Sequence, residues 1–340
     1  MELTDNIKQA LMEKKPGLSE KTIQRYINDT QRIYKQVFGK DLNKEKNFKW
    51  IRSIDQIEKY FDENKRSIST RNTLYASIIE VLRAIDHPDK KGLEDLIQQR
   101  QKYGDEYNSI EDGLKSKKQE DSFIDAKLID DKIDQYEKEV KVENPDPDLL
   151  QIWMILKLLR EFRFRNEIAS LEFVTKSMYL AEKGKTEKNM VVMDPEGWFI
   201  SKNKYKTSKK YGEVIIPLEG QILEDIKFFR GSTMKRALPK SDLILFKSSF
   251  QNTKRPTKMT SNSLSKYLLN WSNKELPPVT MEDGSKKPRN LSSNMIVKVY
   301  ESAEHGEAKK KLLTQSKNRG NKSDTMMKHY VSTKKPTGFY

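Results

Sequence analysis

Between Lys286 and Tyr330 the sequence brings together side chains suited to one kind of chemistry. Lys286-Lys287-Pro288-Arg289 opens the stretch, and Gly320-Asn321-Lys322-Ser323-Asp324-Thr325-Met326-Met327-Lys328-His329-Tyr330 closes it. A guanidinium offers forked N–H donors that match phosphate oxygens. A lysine amine can hand a proton to a leaving oxygen. A phenol, with a reference pKa of about 10, becomes a nucleophile where surrounding cations favour the phenolate. A phosphodiester repels nucleophiles, and its transition state spreads extra charge over the non-bridging oxygens, which paired arginines can neutralise. The residue types therefore suit phosphoryl transfer. A lone tyrosine carries little information; a tyrosine preceded by a K-x-x-R and a Gly-Asn carries more.

This layout resembles the C-terminal half of a tyrosine recombinase (phage-integrase family) domain. That family has an H/K-x-x-R box, two helices, and a G-H-x(8)-Y box whose tyrosine is the nucleophile. Arg289 matches the arginine, Lys286 the His/Lys position and Tyr330 the nucleophile. Asn321 stands where the family usually has His or Trp, and a lysine in place of the first histidine also occurs in the related type IB topoisomerases. Helical spacing predicts the two intervening helices at 290–301, with Leu291, Met295 and Val299 in register, and at 307–317, with Leu312 and Leu313.

Elements upstream must position the remaining groups. The strongly apolar run Leu149–Leu159 predicts a buried helix capped by Asp148. It leads into Arg160-Glu161-Phe162-Arg163-Phe164-Arg165-Asn166-Glu167-Ile168. The resemblance places the first catalytic arginine here. Arg165, followed by Glu167 and Ile168, fits best; Arg163 competes, and arginines at a helix end also simply suit the helix dipole. Strands are predicted at 189–193, around Trp198-Phe199-Ile200 and at 213–218, with an Asp194-Pro195-Glu196-Gly197 turn between the first two. The family has a three-stranded sheet here, with a catalytic lysine in the turn between its last two strands. Lys206 is the choice, with Lys204 and Lys209 behind it. Lys202, Lys204, Lys209, Lys210 and Arg255 are expected to contact DNA phosphates; a lysine run is otherwise an ordinary solvated face.

Composition bounds the partners. The chain has 340 residues and a formal net charge of +15, which points to a polyanion, nucleic acid first. It has no cysteine and three histidines, which excludes thiolate catalysis and disulfides and argues against a multi-histidine metal site. No apolar run reaches membrane-spanning length and no leader-like segment opens the chain, so a soluble protein in the cytoplasm or nucleus of a host is expected, without membrane contact. The wealth of Lys, Asn and Ile hints at a virus or mobile element.

The first part of the chain reads as a helical bundle. Ser19 caps a helix carrying Ile23, Ile27, Ile33 and Tyr34; Ser53 with Gln56 forms a capping box; Thr70 starts a third helix, ended by His87-Pro88; a fourth begins near Gly92. The polar stretch 113–122 reads as a linker. The resemblance then implies a mainly α fold with a small antiparallel β-sheet: a helical core-binding bundle that clamps DNA over residues 1–118, and an α+β tyrosine-recombinase catalytic domain over 119–340.

By the same resemblance, Arg165 and Arg289 bind the scissile phosphate, Lys286 assists at a phosphate oxygen, Asn321 donates one neutral hydrogen bond, Lys206 protonates the leaving 5′-oxygen and Tyr330 forms a 3′-phosphotyrosyl intermediate. No cofactor or metal is required. The expected partner is double-stranded DNA, with a homo-oligomer, a tetramer, assembling on paired sites. The expected function is site-specific recombination or integration. The alternatives are a type IB topoisomerase, which acts as a monomer on any supercoiled duplex, and a catalytically degenerate DNA-binding relative.

Overall fold

The computed structural model describes residues 2–45, 48–109, 123–185, 187–205, 208–236, 246–247, 257–281 and 284–318. The chain divides into two compact units, Met1–Leu114 and Lys115–Tyr340. The predicted linker, 113–122, lies outside the described residues.

The first unit is helical: α1 (Leu3–Lys14), α2 (Glu20–Phe38), α3 (Ile54–Glu63), α4 (Ile68–Ala84) and α5 (Lys90–Ser109), with 3-10 turns at Leu42–Lys44 and Lys49–Arg52. Ile7, Leu11, Ile27, Ile33, Ile57, Phe61, Ile78 and Leu82 are fully or almost fully buried in its core, so each helix packs one apolar face inward. Ser19 caps α2 as expected, accepting from the Thr22 amide at 3.2 Å. Two expectations need correction. Ser53 precedes α3 but its side chain makes no capping bond, so there is no capping box. The helix predicted from Thr70 begins earlier, because Ser67 is the cap and accepts from the Thr70 amide at 3.3 Å, which makes Thr70 a first-turn residue.

The second unit is built around α7 (Pro147–Phe162), in which Leu150 through Leu159 are buried on every side, as a helix apolar all round requires. Its cap is Asp146, not Asp148: Pro147, lacking an N–H and fixed in φ, takes the first helical position, and Asp146 Oδ1 accepts from the Leu149 amide at 2.8 Å. Around α7 lie α6 (Ala126–Val140), α10 (Gly220–Arg236), α11 (Ser261–Glu275) and α12 (Ser293–Asn318). Lys157, 4 % exposed, is the charge on the buried face of α7; it ion-pairs with Asp225, 1 % exposed, and with Glu137 at 2.8 Å.

The sheet runs β1 (Leu171–Thr175), β2 (Asn189–Met193), β3 (Phe199–Lys202), β4 (Val214–Pro217), in that spatial order. The three predicted strands are present. The sheet is mixed rather than antiparallel, because β1, which the sequence reading missed, pairs parallel with β2; the short helix α8 (Lys176–Glu182) carries the chain back between them. A short helix, α9 (Ser208–Tyr211), lies between β3 and β4, and two-residue antiparallel pairs follow, β5 (Phe246–Lys247) with β6 (Thr257–Lys258) and β7 (Val279–Thr280) with β8 (Lys286–Lys287). Thr260 caps α11, accepting from the Ser263 amide at 3.2 Å. The two helices predicted after Arg289 are one: α12 runs unbroken for 26 residues. The junction Ser302-Ala303-Glu304-His305-Gly306 contains no proline, and one interior glycine costs only about 1 kcal/mol relative to alanine.

Candidate active site

The site starts where α7 ends. Arg163 closes the helix in the left-handed region, at φ 52°, and the chain turns there. The turn buries Phe164, whose ring stacks on Phe162 at 5.3 Å, and sends Arg165 outward. A 3-10 turn, Asn166–Ser170, follows, and the Glu167 carboxylate folds back to accept from the Arg165 amide at 2.8 Å.

The two competing arginines have different surroundings. Arg163 lies 3.2 Å from Glu304 and 3.7 Å from Glu301, both on α12, and its guanidinium covers the Tyr300 ring at 4.8 Å. It serves as a tie between helices. Arg165 is exposed, and its guanidinium has no ion-pair or hydrogen-bond partner among the described residues. Of the pair, Arg165 is the one available to an anion.

Lys202, at the end of β3, joins Arg165. Its amine lies 3.7 Å from Glu167, 4.5 Å from the centre of the Phe164 ring and 5.0 Å from that of Tyr205. Burial pushes this amine below its ordinary pKa and the Arg165 charge acts in the same direction, against the pull of Glu167. Among the described lysine side chains expected to touch DNA, Lys202 is therefore the one held and partly desolvated. Lys204 is exposed, with a loose contact to Glu187 at 3.9 Å, and Lys210 is exposed over the Tyr211 ring at 5.0 Å. Lys209 belongs to α9.

The segment after β8 reaches the same place from the other end of the chain. The Ser272 hydroxyl on α11 donates to the Arg289 carbonyl at 2.8 Å and accepts from the Leu291 amide at 3.1 Å, which fixes the backbone on both sides of Asn290. Ser292 then caps α12, accepting from the Met295 amide at 3.3 Å. Ser293, fully buried, donates to Asn166 Oδ1 at 2.7 Å, beside Arg165. The Arg289 side chain, however, donates from Nε to the Pro277 carbonyl and from Nη1 to the Phe123 carbonyl, both at 2.8 Å. Burial lowers its pKa, but an arginine stays charged. Lys286 is exposed on β8.

Arg165, Lys202 and the backbone following Arg289 are thus brought together, while the Arg289 guanidinium is committed largely to main-chain carbonyls. Lys206, Arg255, Asn321 and Tyr330 lie outside the described residues.

Sequence reasoning missed two participants. Glu167 was read as part of the arginine motif without a role, yet its carboxylate meets both the Arg165 amide and the Lys202 amine. Asn189 opens β2 and is 1 % exposed; its side chain bonds both the loop after β3 and the turn after Arg165. A single asparagine at a strand start gives no signal that separates it from a turn residue.

A scan against protein-family models finds no match to the chain, and a search of curated proteins finds none either. Among the described residues, no helix is long and apolar enough to cross a membrane.

Proposed function

We propose that the chain cleaves and rejoins double-stranded DNA as a site-specific recombinase or integrase, with Tyr330 as nucleophile. The phenolate oxygen of Tyr330 forms a bond to phosphorus as the bond from phosphorus to the 5′-oxygen breaks. The phenol proton passes to solvent, and the 5′-oxygen takes a proton from a lysine ammonium of the loop after β3. The 3′-phosphotyrosyl bond conserves the energy needed to rejoin the strand. Arg165, with Arg289 and Lys286, binds the phosphate whose charge grows in the transition state. Several protomers act together on paired sites.

The observation that carries this reading is the hydrogen bond between Asn166 and Ser293. It joins the Arg165 turn to the segment after Arg289, across 127 positions of sequence, as a bipartite phosphate site requires. One observation favours a second reading: Arg289 spends two of its three nitrogens on the Pro277 and Phe123 carbonyls, which suits a DNA-binding protein that does not cleave.

The test is covalent trapping on a nicked duplex that loses its 5′ fragment after cleavage. Wild-type protein is expected to give a denaturant-resistant DNA adduct, and Tyr330→Phe to give none while binding the duplex with similar affinity. A wild-type protein that binds but never traps leaves the second reading standing. A protein that traps, relaxes supercoiled plasmid and stays monomeric on two-site DNA is a topoisomerase instead.

A further inference from the structure

Asn189 sits between the two cationic arms of the site and bonds to both. Its Oδ1 accepts from the Asn203 amide at 2.9 Å and from the Lys204 amide at 2.7 Å. Its Nδ2 donates to the Lys204 carbonyl at 3.0 Å and to Ser170 Oγ at 2.9 Å, with the Glu167 carbonyl 3.4 Å away. The Ser170 hydroxyl in turn donates to the Glu167 carbonyl at 2.9 Å. One buried amide therefore grips three backbone groups of the loop that begins after Lys202 and ties them to the 3-10 turn capped by Arg165. An aspartate here keeps the acceptors and loses the donors, a leucine loses both, and neither satisfies all the groups Asn189 bonds.

A strand start needs no such device for the sheet alone, since the β2–β3 ladder begins one residue later, at Met190 and Ser201. The grip falls outside that ladder, at the first residues of the loop. It fixes the separation between the start of the loop, at Asn203 and Lys204, and the turn that carries Arg165. Errors of about 1 Å in such a separation can cost about 10²-fold in rate.

We infer that Asn189 is a positioning residue for strand cleavage, holding the lysine loop in register with Arg165 so that an ammonium proton reaches the leaving 5′-oxygen. This inference rests on the proposed function, and its test separates the two. Adduct formation in single turnover is compared for wild type, Asn189→Ala and Asn189→Asp, on an ordinary duplex and on one whose leaving 5′-oxygen is replaced by sulfur. A thiolate leaves without a proton, its conjugate acid having a pKa of about 8.5.

Asn189→Ala is expected to cleave the ordinary duplex about 10²-fold more slowly, with duplex affinity within about threefold, and to regain most of the loss on the sulfur substrate. Asn189→Asp, which keeps the bonds from Asn203 and Lys204, falls between the two. It carries the test if thermal melting shows that the alanine variant does not fold. Wild-type rates in both variants overturn the inference and leave the proposed function intact; so does an equal loss on both substrates, which marks a general disturbance of the fold. A wild type that traps neither substrate overturns the proposed function. The grip itself is then judged by amide hydrogen exchange: Asn189→Ala must speed exchange at Asn203 and Lys204 about tenfold or more while the β2 amides keep their protection, and unchanged exchange sinks it.

Discussion

Ser293 Oγ donates to Asn166 Oδ1 at 2.7 Å, and through that bond the root of α12 is fastened to the turn that presents Arg165. Ser293 is fully buried and Asn166 half-buried, so the bond is only partly shielded from water. Ser293→Ala is expected to destabilise the second unit by about 1 kcal/mol, the net worth of one partly buried hydrogen bond. It should also slow adduct formation while leaving the first unit unaffected. Denaturant unfolding alongside the trapping assay reads both.

The two arginines at the end of α7 should part company under mutation. Arg163→Ala removes the contacts with Glu301, Glu304 and the Tyr300 ring, so its effect is on stability: about 1 kcal/mol after solvent screening, with modest loss of cleavage. Arg165→Ala removes a guanidinium without a protein partner among the described residues. It should leave the melting temperature almost unchanged and lower the cleavage rate by about 10²-fold or more. The opposite pattern would reassign the catalytic arginine.

A third expectation concerns the start of α7. Asp146→Ala removes the bond to the Leu149 amide and should cost about 1 kcal/mol. Asp148→Ala should cost less. Burial, with Asp146 adding to it, raises the Asp148 carboxyl pKa, so its charge is not favoured where it stands. Thermal melting of the two single variants decides between them.

In the first unit, Asp89 has a pKa lowered to about 2, chiefly by its hydrogen-bonded ion pair with Arg52 Nε at 2.5 Å and then by the Gly92 amide. A carboxylate whose folded pKa lies below its unfolded value of about 3.9 stabilises the fold fully above that value. The contribution is lost as the pH falls from about 4 towards 2. Arg52→Gln should return Asp89 towards the ordinary carboxylate range and remove that part of the acid sensitivity. A carboxyl-carbon NMR titration of Asp89 reads the shift directly.

Some of this architecture is legible in the sequence because it is local. Ser19 and Thr260 are capping residues set before amphipathic runs, and β2, β3 and β4 announce themselves by apolar stretches around a Pro-Gly turn. The misread starts have local causes too. Two aspartates flank Pro147, and only the proline's place at the first helical position decides that Asp146 is the cap. What stayed hidden depends on distant partners. Parallel pairing of β1 with β2 is set by the crossover helix between them. Glu301 and Glu304 read as surface charges until Arg163 is placed against them, and Asn189 becomes informative only when the Lys204 and Ser170 groups meet its amide. That Arg289 would lean on the Pro277 and Phe123 carbonyls was not readable, because both are main-chain atoms and carry no residue signature.

The unbroken α12 has a mechanical consequence. Its root is anchored by buried Ile296, Val299 and Tyr300, whereas residues 301 to 305 already face solvent. At 1.5 Å per residue, 26 residues make a rod of about 39 Å. Such a rod amplifies what happens at its base: beyond the Arg163–Glu304 contact about 21 Å of helix remains, at the same rise per residue, and a tilt of about 10° there moves the tip at Asn318 by about 4 Å. Two separate helices joined by a loop would absorb that tilt at the joint. A single rod transmits it, so Ser293, Ile296, Val299, Tyr300 and Glu304 together set the direction in which the helix runs to Asn318.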